Sequence, residues 1–373
     1  MGSFLATAQR TMAPSHVHAE QCWPLAGKVS PCEIECPLQM DIPNYLMAIA
    51  KGKFEEALKI VRETNPLPSA CGRVCHHPCE GKCNRGIVDS PVAIMWLKRF
   101  VADREENEKQ PGIKGTKEKV AIVGAGPCGL TAAHDLVRKG YRVVLFEASD
   151  KPGGILSSAI PEFILPWEAV KKDVEHLQAL GVRIHTRARL GEDFGLGDLR
   201  EQGFKAVLIA IGTQKSAALR IPGSDRPGVY PALDWLKQVK GGTLRSVHGK
   251  VWVIGGGGVA MDVARTAIRL GADEANVASL ESRREMPAFA WEIDAAEREG
   301  VRFHPSLAPQ AFLSHKGFGV DEIRFKRVRS LQRTPDGMIT WTLEEGPGSD
   351  YSAQTDAVFI AVGQVPDDTV VAR

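Results

Sequence analysis

The sequence has no apolar run near the roughly 18 residues a membrane-spanning helix needs, and Met1 to Glu20 lack the continuous apolar core of a secretory signal. Net charge is also scarce. The 47 Lys and Arg against 45 Asp and Glu leave +2, which gives no basis for a nucleic-acid or polyanion partner. These absences lead to the expectation of a reducing, cytoplasmic compartment, with neither a membrane span nor a nucleic-acid partner. What is present is ordinary for folded protein: 373 residues, enough for two or three domains, 43% apolar and 25% charged. In a reducing compartment the eight cysteines read as ligands or packing residues. Their distribution agrees, because seven fall between Cys22 and Cys83. The eighth, Cys128, fills a small-residue position inside a glycine turn and is given no redox role.

The chain is organised around Val120-Ala-Ile-Val-Gly-Ala-Gly-Pro-Cys-Gly-Leu-Thr-Ala-Ala133. β-Branched residues lead into Gly124-x-Gly126-x-x-Gly129 and then into small and apolar residues at helical spacing, the strand, turn and helix of a dinucleotide-binding βαβ unit. Gly124 permits the sharp turn, Gly126 lets a pyrophosphate approach the backbone, and Gly129 lets helix and strand pack closely. The helix amino terminus adds N–H donors and a positive dipole end. A lone GxGxxG is a weak signal. Here, however, the second strand, Tyr141-Arg-Val-Val-Leu-Phe146, ends at Glu147, 23 residues after Gly124, where an acid accepts hydrogen bonds from ribose hydroxyls. A second glycine turn, Lys151-Pro-Gly-Gly154, follows. The strand pattern Ala206-Val-Leu-Ile-Ala-Ile-Gly-Thr213 then either runs beneath a dinucleotide, with Gly212 at its turn, or is simply core.

Ahead of this unit, residues 1 to about 20 form a lead-in without periodicity. Cys32-x3-Cys36-Pro37, a helix start at Asp41-Ile-Pro43 and an amphipathic pattern from Tyr45 to Arg62 precede the densest cluster, Cys71-Gly-Arg-Val-Cys75-His-His-Pro-Cys79-Glu-Gly-Lys-Cys83. Ser90-Pro91 caps a further helix to about Glu106. Thiolates at four-residue intervals, broken by glycine and proline so that the backbone curls around a core, suit an iron–sulfur cluster. Structural zinc uses the same donors, with His76 and His77 as further candidates. An electron carrier is favoured because it explains the position just ahead of a dinucleotide unit. Residues 104 to 118, charged and carrying proline and glycine, are the expected linker.

The fingerprint recurs in Lys250-Val-Trp-Val-Ile-Gly-Gly-Gly-Gly-Val-Ala-Met-Asp-Val-Ala264 as Gly255-x-Gly257-x-x-Ala260, with a helix from Val259 to Leu270. The next strand ends at Glu281, 26 residues after Gly255, followed by Ser282-Arg283-Arg284. Two copies of one module predict two bound nucleotides. Residues 318 to 345 read as strands joined at Pro335-Asp-Gly337. Asp356-Ala-Val-Phe-Ile-Ala-Val-Gly-Gln364 repeats the pattern of 206 to 213, which predicts a return of the chain to the first nucleotide domain. The expected fold is α/β: a flexible lead-in 1–20, a helical iron–sulfur domain 21–106, a linker 107–118, a first Rossmann-like domain 119–248 with 356–373, and a second, 249–355, inserted in it.

With these motifs in this order, the chain resembles the small (beta) subunit of glutamate synthase and its relatives, among them the amino-terminal part of dihydropyrimidine dehydrogenase and the large subunit of NADH-dependent ferredoxin:NADP oxidoreductase. The resemblance spans roughly residues 30 to 366. It rests on Cys-Gly-Arg-Val-Cys…Cys-Glu-Gly-Lys-Cys, Val-Gly-Ala-Gly-Pro-x-Gly-Leu, Gly-Gly-Ile…Ile-Pro-Glu-Phe, Gly-Gly-Gly-x-Val-Ala-Met-Asp, Glu-Met-Pro-Ala and Ala-Val-Gly-Gln-Val-Pro. It implies a fold of the pyridine nucleotide-disulfide oxidoreductase type. FAD is implied on the first module (Gly124, Gly126, Pro127, Gly129, Glu147 and Gly212, with Gly154 near the flavin) and NAD(P)H on the second (Gly255, Gly257, Val259, Ala260, Glu281, Arg283, Arg284). One or two [4Fe-4S] clusters are implied on Cys32, Cys36, Cys71, Cys75, Cys79 and Cys83. The interleaving found in relatives puts Cys32 with Cys83, and Cys36 with Cys75 and Cys79. Lys98 stands where some relatives have a Gln or Glu ligand, and Cys22 is a further candidate. The implied activity is electron transfer from NAD(P)H through FAD and a cluster to a partner redox subunit or ferredoxin-like acceptor, and hence a hetero-oligomer.

Departures from the relatives carry expectations of their own. Gly258 replaces the usual Asn. The relatives continue with a Gly-Asp turn that contacts the flavin, so a longer form or a partner chain is expected to supply that wall. NADPH-using relatives place arginines near Arg283 and Arg284, yet Glu281 at the strand end accepts from a ribose 2′-OH and repels a phosphate, so NADH is expected over NADPH. No catalytic acid or base is identified; Asp262, Glu162 and Asp294 have the commoner reading of helix-end or exposed charges. An inactive docking subunit and a glutamate synthase small subunit are the competing functions.

Overall fold

The computed structural model describes residues 29–105, 112–334, 339–367 and 369. The lead-in, Cys22, part of the linker and the Pro335-Asp-Gly337 turn lie outside the described residues. Ahead of the first strand come α1 (Pro31–Glu35), α2 (Ile42–Ala50), α3 (Phe54–Thr64), α4 (Pro68–Val74), α5 (Pro78–Gly81) and α6 (Ile94–Asp103). The chain divides into two compact units. One is the described part of Met1–Pro68 with His77–Glu106, the other Ser69–His76 with the described part of Asn107–Arg373.

The first unit is helical. Asp41 caps α2 by accepting the Asn44 N–H at 3.2 Å, and Pro43 lies in the first turn, so the helix starts where the sequence signals it. Ile42, Tyr45 and Ala48 form its buried stripe, against Ala57, Leu58 and Val61 of α3 and Ile94, Val101 and Ala102 of α6. The buried Tyr45 hydroxyl donates to the Ile94 carbonyl at 3.1 Å, so this polar atom is satisfied within the core.

In the second unit, β1 (Lys119–Val123), α7 (Pro127–Arg138), β2 (Arg142–Phe146), α8 (Ile155–Ser158), α9 (Trp167–Ala179), β3 (Arg183–His185), α10 (Leu196–Glu201) and β4 (Phe204–Ile209) make the first nucleotide module, a parallel sheet in the order β3-β2-β1-β4. β5 (Lys215–Ser216) leads out of it. The second module follows, with β6 (Val229–Pro231), α11 (Ala232–Lys240), β7 (Lys250–Ile254), α12 (Gly258–Arg269), β8 (Glu274–Ala278), α13 (Ala290–Arg298) and β9 (Arg302–His304). An antiparallel layer comprises β10 (Leu307–Leu313), β11 (Glu322–Arg333), β12 (Ile339–Leu343) and β13 (Asp350–Gln354). The chain then makes β14 (Ala357–Ile360) and β15 (Gln364–Val365). Val120–Val123 of β1 and Val251–Ile254 of β7 are buried along their length, as continuous apolar strands at the centre of parallel sheets should be.

One expectation needs correction. The strand within Asp356–Gln364 does not return to the first sheet: β14 pairs in parallel with β7 and β6, giving the second sheet the order β6-β14-β7-β8-β9. Asp356 accepts the Lys250 N–H at 2.7 Å, and Phe359 packs on Trp235 with ring centroids 4.5 Å apart. The repeat between 206–213 and 356–364 has another meaning, since each copy lies beside the first strand of its own module, β4 beside β1 and β14 beside β7. The second sheet accordingly draws on Val229 through Ile360, wider than 249–355. The chain leaves the two modules along β5 and β15, which pair antiparallel.

Candidate functional site

In the first module, Gly124 has φ +104°, and a Cβ there would strike the Ala210 carbonyl oxygen just beyond β4. A Cβ on Gly129 would strike the Gly124 carbonyl, so α7 packs directly on the turn. Gly126 is the N-cap of α7 and Pro127 occupies its first turn. The second glycine turn folds back on the first: the Gly153 N–H donates to the Ala125 carbonyl at 2.7 Å, and a Cβ on Gly154 would come within 2.9 Å of the Gly126 Cα. The result is a backbone-walled cradle at a helix amino terminus. It fits the pyrophosphate of a dinucleotide such as FAD, and side chains at these glycines would fill it. Glu147 is buried. Its Oε2 accepts the Ala125 N–H at 2.9 Å, and its Oε1 accepts the Ser149 N–H at 2.9 Å and Oγ–H at 2.7 Å. Three of the roughly four acceptor directions of the carboxylate are used, which fixes it and leaves room for a ribose hydroxyl. Gly212 is exposed in the loop after β4, at φ +67°.

The second module repeats the construction. A Cβ on Gly255 would strike the Ala361 carbonyl beyond β14, and Gly257 is the N-cap of α12. A cavity of about 710 Å³ opens here, within the range of small-molecule sites, and Gly255, Gly257, Val259, Glu281, Arg333 and Trp341 are among its lining residues. Ala260 is buried against the sheet instead. Glu281 is 5% exposed, and its Oε1 receives Arg333 Nη2 at 2.7 Å. Arg283 is turned to Glu297 at 2.6 Å with its guanidinium 4.9 Å from the Phe303 ring centroid, while Arg284 is exposed; neither lines the cavity. Burial, reinforced by the neighbouring Glu292 charge, pushes the Asp262 carboxyl up to about 7. A Cβ on Gly258 would meet both carboxylate oxygens of Glu292 at 3.3 Å, so the Gly in place of Asn leaves room for that side chain. Glu162 accepts the Trp167 N–H at 2.9 Å and pairs with Lys240 at 3.6 Å, a structural cap, and Asp294 is exposed.

In the helical unit, α1 and α5 pack together and carry Cys32, Cys36, Cys79 and Cys83 on or next to them. Cys36 and Cys79 are buried. Burial first, and then the neighbouring Cys36, push the Cys79 thiol up to about 11, opposed by the ammonium of Lys98, which is only 2% exposed. Buried soft donors next to a buried cation fit a cluster whose thiolate ligands bring excess negative charge. Cys71 in α4 and Cys75 just past its end belong to the other unit. There the Asp173 carboxylate of α9 accepts the Ser69 N–H at 3.2 Å and the Ala70 N–H at 2.9 Å. Among the described residues none of the six thiols is in a disulfide. Among the described residues no three His, Cys, Asp or Glu side chains form a ready-made metal site. His76 stacks on Phe289, centroids 5.5 Å apart and planes 11° apart, and His77 lies 3.9 Å from Glu80.

Residues 118–373 match the pyridine nucleotide-disulphide oxidoreductase family, and residues 5–110 match dihydropyrimidine dehydrogenase domain II, 4Fe-4S cluster. The chain belongs to the pyridine nucleotide-disulphide oxidoreductase family. It is 37% identical to the NADPH-Fe(3+) oxidoreductase subunit beta of Geobacter sulfurreducens over 98% of this chain and 54% of that protein. It is 39% identical to the NADP(+)-dependent formate dehydrogenase subunit beta of Moorella thermoacetica over 91% and 51%. The chain thus spans about half the length of these two curated relatives. With the glutamate synthase [NADPH] small chain of Escherichia coli it shares 35% identity over 90% of this chain and 74% of that one. Among solved structures, FprA of Mycobacterium tuberculosis in complex with NADPH has the same fold over 69% of this chain and 72% of its own, with a TM-score of 0.57 at 18% identity.

As a member of this oxidoreductase family, the chain carries a 4Fe-4S module followed by FAD- and nicotinamide-nucleotide-binding modules. No helix among the described residues is long and apolar enough to cross a membrane. The structure brings the glycines of each fingerprint together with their strand-end acid, and it does not bring Arg283 or Arg284 into the cavity. Sequence reasoning missed Arg333, Trp341, Asp173 and Lys240. Arg333 and Trp341 carry no local motif, and only the pairing of β11 with β12 places them. Lys240 donates to the carbonyls of Leu156, Ile160 and Leu165 at 3.1, 2.6 and 2.9 Å, tying down the segment after the second glycine turn.

Proposed function

We propose that the chain is the NAD(P)H-oxidising electron-transfer subunit of a larger complex, with FAD on the Gly124 module, the nicotinamide nucleotide on the Gly255 module, and one or two [4Fe-4S] clusters on Cys32, Cys36, Cys71, Cys75, Cys79 and Cys83. The observation that carries this reading is the duplicated module: two glycine turns, each backed by a carbonyl of its neighbouring strand and each facing a strand-end acid, in one compact unit. When bound, the flavin supplies the conversion between two-electron and one-electron chemistry, and an iron–sulfur cluster carries electrons singly. The residues of the chain bind and orient. Gly126, Gly154 and the α7 amino terminus hold the pyrophosphate, Glu147 takes a ribose hydroxyl, and Lys240 fixes the 155–165 segment against the second module. Buried Lys98 offsets negative charge at the thiolates. No acid or base is assigned, because hydride and electron transfer need none from the protein. The partner is a redox subunit or a ferredoxin-like acceptor, in keeping with relatives that are named as subunits of larger enzymes.

The test is purification of the full chain, followed by flavin, iron and acid-labile sulfide analysis and by oxidation of NADPH and NADH with a dye acceptor. Bound flavin, iron and turnover support the proposal. A chain devoid of flavin and iron refutes it, and a loaded chain without turnover makes it a docking subunit.

A further inference from the structure

We propose that Arg333, with Trp341 beside it, reads the adenosine end of the nicotinamide nucleotide and selects a 2′-phosphate over a free 2′-hydroxyl. This rests on the reading of the Gly255 cavity as the nicotinamide-nucleotide site. In a module of this type the acid at the end of the second strand marks the ribose 2′ position, and here that acid is Glu281. A bare carboxylate there repels a phosphate. This one is not bare, because Arg333 reaches it from β11 at 2.7 Å. The pair is neutral, and the cost of burying Glu281, 5% exposed, is met by a partner whose own side chain remains 46% exposed.

A guanidinium has five N–H donors in a planar fork, suited to two-pronged binding of phosphate. The Glu281 contact is made through Nη2, which leaves the rest of the fork for a ligand. The hairpin register then decides what lies next to it. Arg333 pairs with Ile339 and Leu331 with Trp341, so Arg333, Ile339 and Trp341 share one face of the hairpin, and all three line the cavity. An exposed indole on the wall of a nucleotide cavity, two residues along β12 from the Ile339 that pairs with Arg333, fits stacking against adenine. Arg283, the alternative cation after β8, is engaged by Glu297.

The experiment is calorimetry of the full chain with adenosine 2′,5′-bisphosphate and with adenosine 5′-monophosphate, alongside NADPH and NADH. The wild type should bind the bisphosphate at least about tenfold more tightly than the monophosphate. Arg333→Met, which keeps the apolar stem, should weaken the bisphosphate by about 10- to 100-fold and leave the monophosphate within about threefold. Glu281→Gln should move the preference further toward the bisphosphate. Three results overturn the proposal while leaving the site intact: an unchanged ratio in Arg333→Met, an equal loss for both nucleotides in that variant, or a wild-type preference for the monophosphate. Failure of every nucleotide to bind the wild type overturns the site itself, and the selectivity with it.

Discussion

Asp173 is the most exacting test of how the cysteine-bearing helix α4 is held. It is fully buried in α9, and its two carboxylate oxygens accept the N–H groups of Ser69 and Ala70 in the first turn of the helix that carries Cys71. First-turn N–H groups have no partner within their own helix, and here they are buried, so Asp173 is their acceptor. Asp173→Ala removes two charge-assisted hydrogen bonds and strands two buried donors, each worth about 1–3 kcal/mol. Removing a buried carboxylate recovers part of that, so the net loss should be about 2–4 kcal/mol. At about 2–4 °C per kcal/mol for a unit of this size, the melting temperature should fall by about 5–15 °C. Asp173→Asn, which keeps one acceptor oxygen, should lose roughly half as much. Calorimetry of the apo chain reads the stability, and iron and sulfide analysis reads the thiols. An Asp173→Ala chain that melts within about 2 °C of the wild type, with unchanged iron, refutes the claim that this carboxylate anchors the helix.

Other expectations are narrower. Gly129→Ala drives a Cβ into the Gly124 carbonyl and should cost about 3 kcal/mol or more, together with loss of bound flavin; wild-type flavin retention would contradict the packing argument. Lys240→Met leaves three carbonyls without their ammonium donor, and limited proteolysis should cut between 155 and 166 faster than in the wild type. Asp262 gives a pH signature. Its carboxyl rises from 3.8 to about 7 on folding, chiefly by burial, so the neutral form is favoured in the fold. The associated stability is complete below pH 3.8 and is lost as pH rises through 7. Allowing for partial exposure, unfolding free energies from urea titrations at acid and alkaline pH should differ by about 2 kcal/mol from this group, and Asp262→Asn should flatten that slope. An unaltered slope would remove Asp262 as its source.

The two glycine turns, the acids Glu147 and Glu281 and the cysteine segments were legible in the sequence because their chemistry is local: turn, helix start and strand end lie within one βαβ unit or one short loop. The expectation of NADH was drawn from the same local logic, and it stood on Glu281 alone. Only tertiary structure supplies Arg333, 52 residues further on, which neutralises that carboxylate. Strand partners were hidden for the same reason. Residues 206–213 and 356–364 read alike, and a pattern of buried apolar residues says that a strand is central without saying in which sheet; β14 lies beside β7 because its backbone and Phe359 find Val251–Ile254 and Trp235. Asp173 and Lys240 complete the case, since each is an ordinary charge on an amphipathic helix until the fold brings unpaired backbone groups to it from 75 to 104 residues away. The sequence by itself determined which residues can shape a nucleotide turn or ligate iron. Long-range pairing decided which charges are neutralised, which strands are neighbours and which face of a hairpin closes the cavity, because those depend on contacts that no local pattern records.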